Sequence, residues 1–507
     1  MKMEGIIGQV EQLAGKTEWA AVGVALVAVV VGLVLWKCSS GLKRVTPPVP
    51  PGSLGWPVLG ETLELLSAKR ANIADQFYKA RVAKYGEVFK THLFLDPVVS
   101  VGGADGNKFL FSNENKLVQN SWPPSMIKIL GKDTIINQVG ERHRKLRRIF
   151  TSNFFNPEGI ALYVSRMDAI TRDHIAKHWE GKDSILGVPT VREFTYSVAA
   201  DIFMSLRETD PRYRALSQTM EDVIQGVLQV PINLPGTVYH KGWVGRGNMN
   251  AILDTLISER KQELEQGKAS SKKDLLTMML TTPNEDGIML NDDQMKDNVN
   301  NMLFAGHETS SSTMAVALKY LYLNPECLKK VLQEQREIAK DKNGAPLDYS
   351  DTRKMKYTWQ VVQETLRLQP PVQQAFRTAL QNFQYAGYTI LKGWKVSWAS
   401  DRSHLDPKYF PNPEKFDPSR FEGSGPPPYV YIPFGGGPHI CLGNEFARTV
   451  IMVFLHHIVL NFEWKLVDPD ETICIDPLPI FSKSLALQIQ KRPQVPNSYG
   501  RHLLIDP

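Results

Sequence analysis

The ten residues Phe434-Gly435-Gly436-Gly437-Pro438-His439-Ile440-Cys441-Leu442-Gly443 constrain the fold of this chain more than any other segment. Three consecutive glycines and a proline break regular structure, so the run makes a tight loop. Beyond it Phe446, Val450, Ile451, Phe454 and Leu455 recur at helical spacing, which predicts a helix beginning just after Cys441. The fold must therefore present one thiol on a loop at the positive end of a helix. There the helix dipole and the unpaired donors of the first turn favour the thiolate. A small buried cysteine is the plainer alternative. Zinc suits the segment poorly, because no second cysteine stands at C-x-x-C spacing and only His439 could help, whereas a structural zinc takes four ligands.

A thiolate so placed suits the axial position of a planar iron cofactor, the haem-thiolate arrangement. The segment resembles the haem-binding signature of the cytochrome P-450 monooxygenases, F-x-x-G-x-[RH]-x-C-x-G, with Phe434, Gly437, His439, Cys441 and Gly443 on its fixed positions. The resemblance implies a mainly α, cytochrome P-450-type helical haem fold with small β-sheets, and haem b with Cys441 as its iron ligand.

Bulk properties agree with a catalytic body. Hydrophobic residues make up 42% and charged residues 22% of 507, an ordinary globular balance that supports a sizeable core. A net charge of +6 is too modest and too dispersed for a nucleic-acid partner. Cys38, Cys327, Cys441 and Cys474 make no disulfide framework, as expected of a reducing, cytosol-facing location.

An uncharged stretch from Trp19 to Trp36 spans roughly 27 Å as a helix, enough for a thin bilayer. Lys37, Lys43 and Arg44 follow it, while Glu4, Glu11 and Glu18 outnumber Lys2 and Lys16 before it, so the positive-inside rule keeps the rest cytosolic. The expected organisation is an N-terminal transmembrane anchor (1–36), a basic and proline-rich linker (37–53) and a haem-thiolate catalytic domain (54–507) in the endoplasmic reticulum membrane. Helices are expected around 140–150, 250–266, 294–322, 325–340, 357–369 and 444–460, with strand-like runs near 87–101 and 385–399.

Three further segments fit the family in order. Ala305-Gly306-His307-Glu308-Thr309-Ser310 matches A-G-x-[DE]-T-[TS]. Read alone, it could be a Ser/Thr-rich helix kink. The resemblance implies that Gly306 leaves room over the iron, and that Glu308 and Thr309 relay protons during oxygen activation. Glu364 and Arg367 stand three apart on a helix ended by Pro370-Pro371; with Arg420 they resemble the family's structural E-x-x-R triad. For the haem propionates, the family's W-x-x-x-R maps to His143 and Arg147, joined by Arg377 and His439, so two histidines replace commoner residues. Arg142, Arg144, Lys145 and Arg148 read either as a solvated helix face or as a docking patch for a separate NADPH-dependent flavin reductase.

Substrate preference is carried by resemblance alone. Gly55-Trp56-Pro57-Val58-Leu59-Gly60-Glu61-Thr62 and Gly106 to Glu114, among other segments, are similar to plant oxidases of triterpenoids such as beta-amyrin, and Asn324-Pro325-Glu326-Cys327 is shared with taxane hydroxylases. This implies a small apolar cyclic terpenoid, with a diterpenoid or sterol hydroxylase, or a haem-thiolate isomerase or dehydratase, as alternatives. Trp122, Phe304, Val372, Phe376 and Phe481 are the expected pocket residues.

Overall fold

The computed structural model describes residues 47–493 apart from 58, 72, 269–273 and 476–477. The expected membrane segment Trp19–Trp36 and the first part of the linker lie outside the described residues. Among the described residues, no helix is long and apolar enough to cross a membrane. From Pro47 the chain already lies against the body. Thr389 donates from its backbone N and its Oγ1 to the carbonyls of Pro48 and Pro47, and Lys90 bonds the carbonyls of Pro50 and Pro51.

The architecture is mainly helical with small sheets. Seven helices position the site: α1 (Gly140–Asn153), α2 (Gly187–Met204), α3 (Val238–Glu265), α4 (Asp292–Leu323), α5 (Pro325–Lys342), α6 (Lys356–Leu368) and α7 (Asn444–Asn461). The longest, α4, begins with a capping box in which the Asn291 side chain takes the Gln294 N–H and the Gln294 side chain takes the Asn291 N–H. The central α7 is apolar nearly all round: Val450 through Val459 are buried without a break, as a helix enclosed on every side requires. Each such leucine or phenylalanine side chain contributes about 1.5–3 kcal/mol by leaving water.

The main sheet has five strands: β1 (Val88–Leu93), β2 (Asp96–Val101), β3 (Val118–Ser121), β4 (Gln374–Ala379) and β5 (Lys395–Ala399), in the order β1-β2-β5-β4-β3. All pairs are antiparallel except β2 with β5. The register sets Arg377 on β4 opposite Asn120 on β3, which carries that arginine to the edge of the central cavity. The sheet packs on its own apolar cluster, and the helices share a larger one.

Where the sequence predicts a helix from 250, α3 starts at Val238. Its first half carries Gly242, Gly245 and Gly247, which discourage a helix in isolation. Packing explains them: a Cβ on Gly242 would stand 2.9 Å from the Gly226 Cα of the helix Pro211–Gly226, so the glycine lets the two helices cross at backbone contact.

Candidate active site

The cysteine loop is held by its own backbone. The Cys441 N–H donates to the Phe434 carbonyl at 2.9 Å, closing the loop, while Gly435 and Gly437 take positive φ of 70° and 69°. A Cβ on Gly436 would collide with the Phe111 ring, so the middle glycine answers to close approach and not to its backbone angle. Cys441 opens onto a cavity walled in part by α4, α7, Phe434 and the sheet edge. Burial pushes its thiol pKa up; the Gly443 N–H and the Arg147 charge work the other way. The Gly443 N–H, just ahead of α7, thus assists the thiolate, but for the bare thiol burial prevails.

Helix α4 forms the opposite wall through Asn301, Phe304, Ala305, Gly306, Thr309, Ser310 and Thr313. Thr309 faces this cavity with its Oγ1 donating to the Ala305 carbonyl at 2.7 Å. A Cβ on Gly306 would meet only the Phe203 ring at an ordinary 3.6 Å, so no protein packing demands the glycine. Glu308 turns to the other side of the helix. Its Oε1 accepts from Arg192 Nη2 at 2.7 Å and lies 2.9 Å from His307 Nε2; Arg192 also holds Glu221, and His307 Nδ1 meets Thr195 Oγ1. Burial would raise the Glu308 carboxyl, but the His307 hydrogen bond and the Arg192 charge hold it below the usual carboxylate range. Arg192 and His307 in turn line a second, polar cavity behind α4. Glu308 therefore stands between two cavities without lining the one that holds Cys441.

The rim carries the expected basic residues. Arg147 donates to the Ile440 carbonyl at 2.8 Å, tying α1 to the cysteine loop. His143 is buried and stacks on His439 with ring centroids 3.7 Å apart; burial, with the charges of His439 and Arg147, lowers its pKa to about 3, so it is neutral. Arg377 is buried too, bonding Asn120 Oδ1 at 3.0 Å and Glu114 Oε2 at 3.1 Å, while His439 Nδ1 bonds Glu114 Oε1. Burial pushes the Glu114 carboxyl up, but His439 and Arg377 outweigh it and keep it ionised. All four predicted rim residues line the cavity; the acid joining two of them was not anticipated.

Behind the loop, Glu364 and Arg367 are fully buried and paired by two bonds of 2.6 and 2.8 Å, with Arg420 Nε 3.3 Å from Glu364. Arg367 also donates to the carbonyls of His404 and Pro413, and Glu364 accepts the Asp417 N–H. His404 completes the joint: its Nε2 accepts the Ile432 N–H at 2.9 Å and its Nδ1 meets the Arg367 carbonyl. These bonds hang the segment leading to Cys441 on α6.

Trp122, Phe304 and Val372 line the cavity as expected. Phe376 and Phe481 do not: alternation along β4 turns Phe376 to Phe94 in a separate apolar cluster, and Phe481 joins the main core beneath Lys319. The expected cationic patch is also altered. Arg144 is paired with Glu141 and Glu285, Arg148 with Glu285 and Lys145 with Asp286, so an acidic turn ahead of α4 neutralises most of it. Glu114, Arg192 and His404 have no local signal in the sequence, since each acts through residues at least twenty-eight positions away.

One sulfur opening on an apolar cavity, with arginine and histidine at its rim to receive carboxylates, fits a haem held by a single thiolate. The site and the helical fold define a haem-thiolate protein. The family model described as Cytochrome P450 matches residues 50–494, and the chain belongs to that family. It is similar to a beta-amyrin 28-monooxygenase of Kalopanax septemlobus, 43% identical over 87% of this chain and 92% of the relative. It is also similar to one of Solanum lycopersicum, 43% identical over 90% and 95%. Among solved structures it is similar to the retinoic acid-bound cyanobacterial CYP120A1, with a TM-score of 0.80 and 34% identity over 88% of this chain and 99% of that one. The chain is a cytochrome P450 monooxygenase, working with haem on a cysteine thiolate and with electrons from a redox partner.

Proposed function

We propose that this enzyme oxidises a cyclic terpenoid, a triterpenoid of the amyrin type by preference, as a membrane-anchored protein of the endoplasmic reticulum. Residues 1–36 are the anchor, 37–53 the linker and 54–507 the cytosolic catalytic domain, and NADPH supplies the electrons through a separate flavin reductase. The observation that carries the substrate reading is the 43% identity to enzymes named for beta-amyrin oxidation, along almost the whole body. The apolar lining by Trp122, Met126, Phe304 and Val372 supports it, because such a wall takes up a large hydrocarbon by excluding water.

The haem, when bound, supplies dioxygen activation, placing one oxygen atom in a carbon–hydrogen bond while the other leaves as water with two electrons and two protons. Cys441 is the iron ligand, and Phe434 packs beside its loop. His143, Arg147, Arg377 and His439 receive the propionates. Gly306 keeps the wall of α4 low, and Thr309 presents a hydroxyl at the reacting centre. Glu308 stores a negative charge between the polar cavity and Thr309, where it passes protons inward when its carboxylate leaves Arg192. A Glu308–Thr309 pair of this kind serves oxygen chemistry and has no task in an isomerase.

The test is turnover in microsomes with reductase and NADPH, on a panel of triterpenes, diterpenes and sterols. Oxidation of an amyrin-type scaffold supports the reading. Oxidation confined to diterpenes or sterols, or turnover without NADPH, overturns it.

A further inference from the structure

The cavity wall contributed by α4 carries polar side chains, and most have partners. Thr309 Oγ1 donates to Ala305 and Thr313 Oγ1 to Thr309 at 2.9 Å, both to carbonyls of their own helix. Trp122 Nε1 and Asn120 Nδ2, across the cavity, both donate to the Ile136 carbonyl. Of the neighbouring asparagines of α4, Asn298 is bonded to Ile135 and Asp133, and Asn300 donates to Asn250 while its own Oδ1 has no partner.

Asn301 differs in its place, since it lines the cavity and Asn300 does not. It is 2% exposed, lines the cavity, and its Oδ1 is buried without a hydrogen-bond partner. Trp122, Met126, Phe304 and Val372 give the same cavity an apolar lining. A buried amide oxygen left unpaired is unfavourable, and a wall otherwise suited to hydrocarbon gains nothing from it. Ser310 Oγ is the other unpartnered oxygen in this wall, but it follows Thr309 directly and so belongs to the reacting end. Asn301 precedes Thr309 by eight residues, about 12 Å along the helix axis at the usual rise. That separation matches a rigid molecule several fused rings long.

We propose that Asn301 is the polar anchor of the substrate pocket, receiving a ring hydroxyl at the end of the terpenoid remote from the carbon that is oxidised. The assignment rests on the terpenoid reading and narrows it to scaffolds that already carry an oxygen function. A hydroxyl both donates and accepts, so it pairs with either face of the carboxamide. With one end fixed at Asn301, a rigid ring system presents the same remote carbon at each turnover. Asn301 acts as a positioning residue, and the reaction that supplies this substrate must leave a hydroxyl on the ring.

The experiment uses the full-length enzyme with haem and a matched pair of probes: a pentacyclic triterpenoid with one ring hydroxyl, and the same hydrocarbon without it. Dissociation constants come from the substrate-induced shift of the haem spectrum, and products from turnover with reductase. The wild-type enzyme is expected to bind the hydroxylated probe about tenfold more tightly. Asn301→Leu and Asn301→Ala are each expected to bring that ratio close to one, and to spread oxidation over several carbons, with the thiolate-type carbon-monoxide spectrum retained. The alanine variant guards against misfolding from an overfilled wall. Discrimination that survives in both variants overturns the role of Asn301. A wild-type enzyme that responds to neither probe overturns the triterpenoid reading, and the anchor with it.

Discussion

Arg377 and His439 both turn to one carboxylate, Glu114, whose side chain is wholly buried between them. A buried acid with two partners fixes their positions but leaves them costly to hold if it is removed. We expect Glu114→Gln to destabilise the haem-free protein by about 3–5 kcal/mol, the usual effect of stranding a buried charge. The holoenzyme should lose much less, because the propionates supply negative charge at the same rim. Thermal melts with and without haem check this; equal losses in the two forms would separate Glu114 from the propionate site. At this scale the sequence is an uneven guide. Cys441, His143 and Arg147 are legible because each falls on a short motif of the family the sequence resembles, whereas the Glu114–His439 bond joins residues 325 positions apart and has no local trace.

Elements divide in the same way. Helices α4 and α7 both lie close to their expected bounds, α7 because its apolar residues recur at helical spacing. The first half of α3 is hidden, since its glycines serve a crossing with another helix that only the folded chain reveals. Between α6 and the cysteine loop the joint is His404, which works only while neutral: Nε2 must accept from Ile432. Burial lowers its pKa to about 3, and burial does the same to His174. Both groups bind a proton near pH 6.5 when unfolded and only near pH 3 when folded, so the unfolded state takes up more protons between those values. Stability is therefore flat above about pH 6.5 and falls below it, by up to about 1.4 kcal/mol per pH unit for each histidine. Urea midpoints measured from pH 7.5 down to pH 4.5 check the slope. A midpoint unchanged across that range would contradict neutral burial of these rings.

For the whole molecule, each part of the structure serves one arrangement: a thiol on a rigid loop facing a helix that carries Thr309. The sheet delivers Arg377, α1 delivers His143 and Arg147, and the Glu364–Arg367–Arg420 cluster suspends the loop from α6. That arrangement was foreseeable because its motifs are short and each sits on one element. The neutralised basic face and the displaced Phe376 and Phe481 were not, since acidic partners and strand facing depend on chain brought together from elsewhere. The account stands on Cys441 as the sole thiolate of the site. The most direct measurement is the carbon-monoxide difference spectrum of the reduced protein, recorded for the wild type and for Cys441→Ala. The wild type should show the red-shifted Soret band of a thiolate-bound ferrous haem, and the variant should lose it. A variant that keeps that band would contradict the assignment.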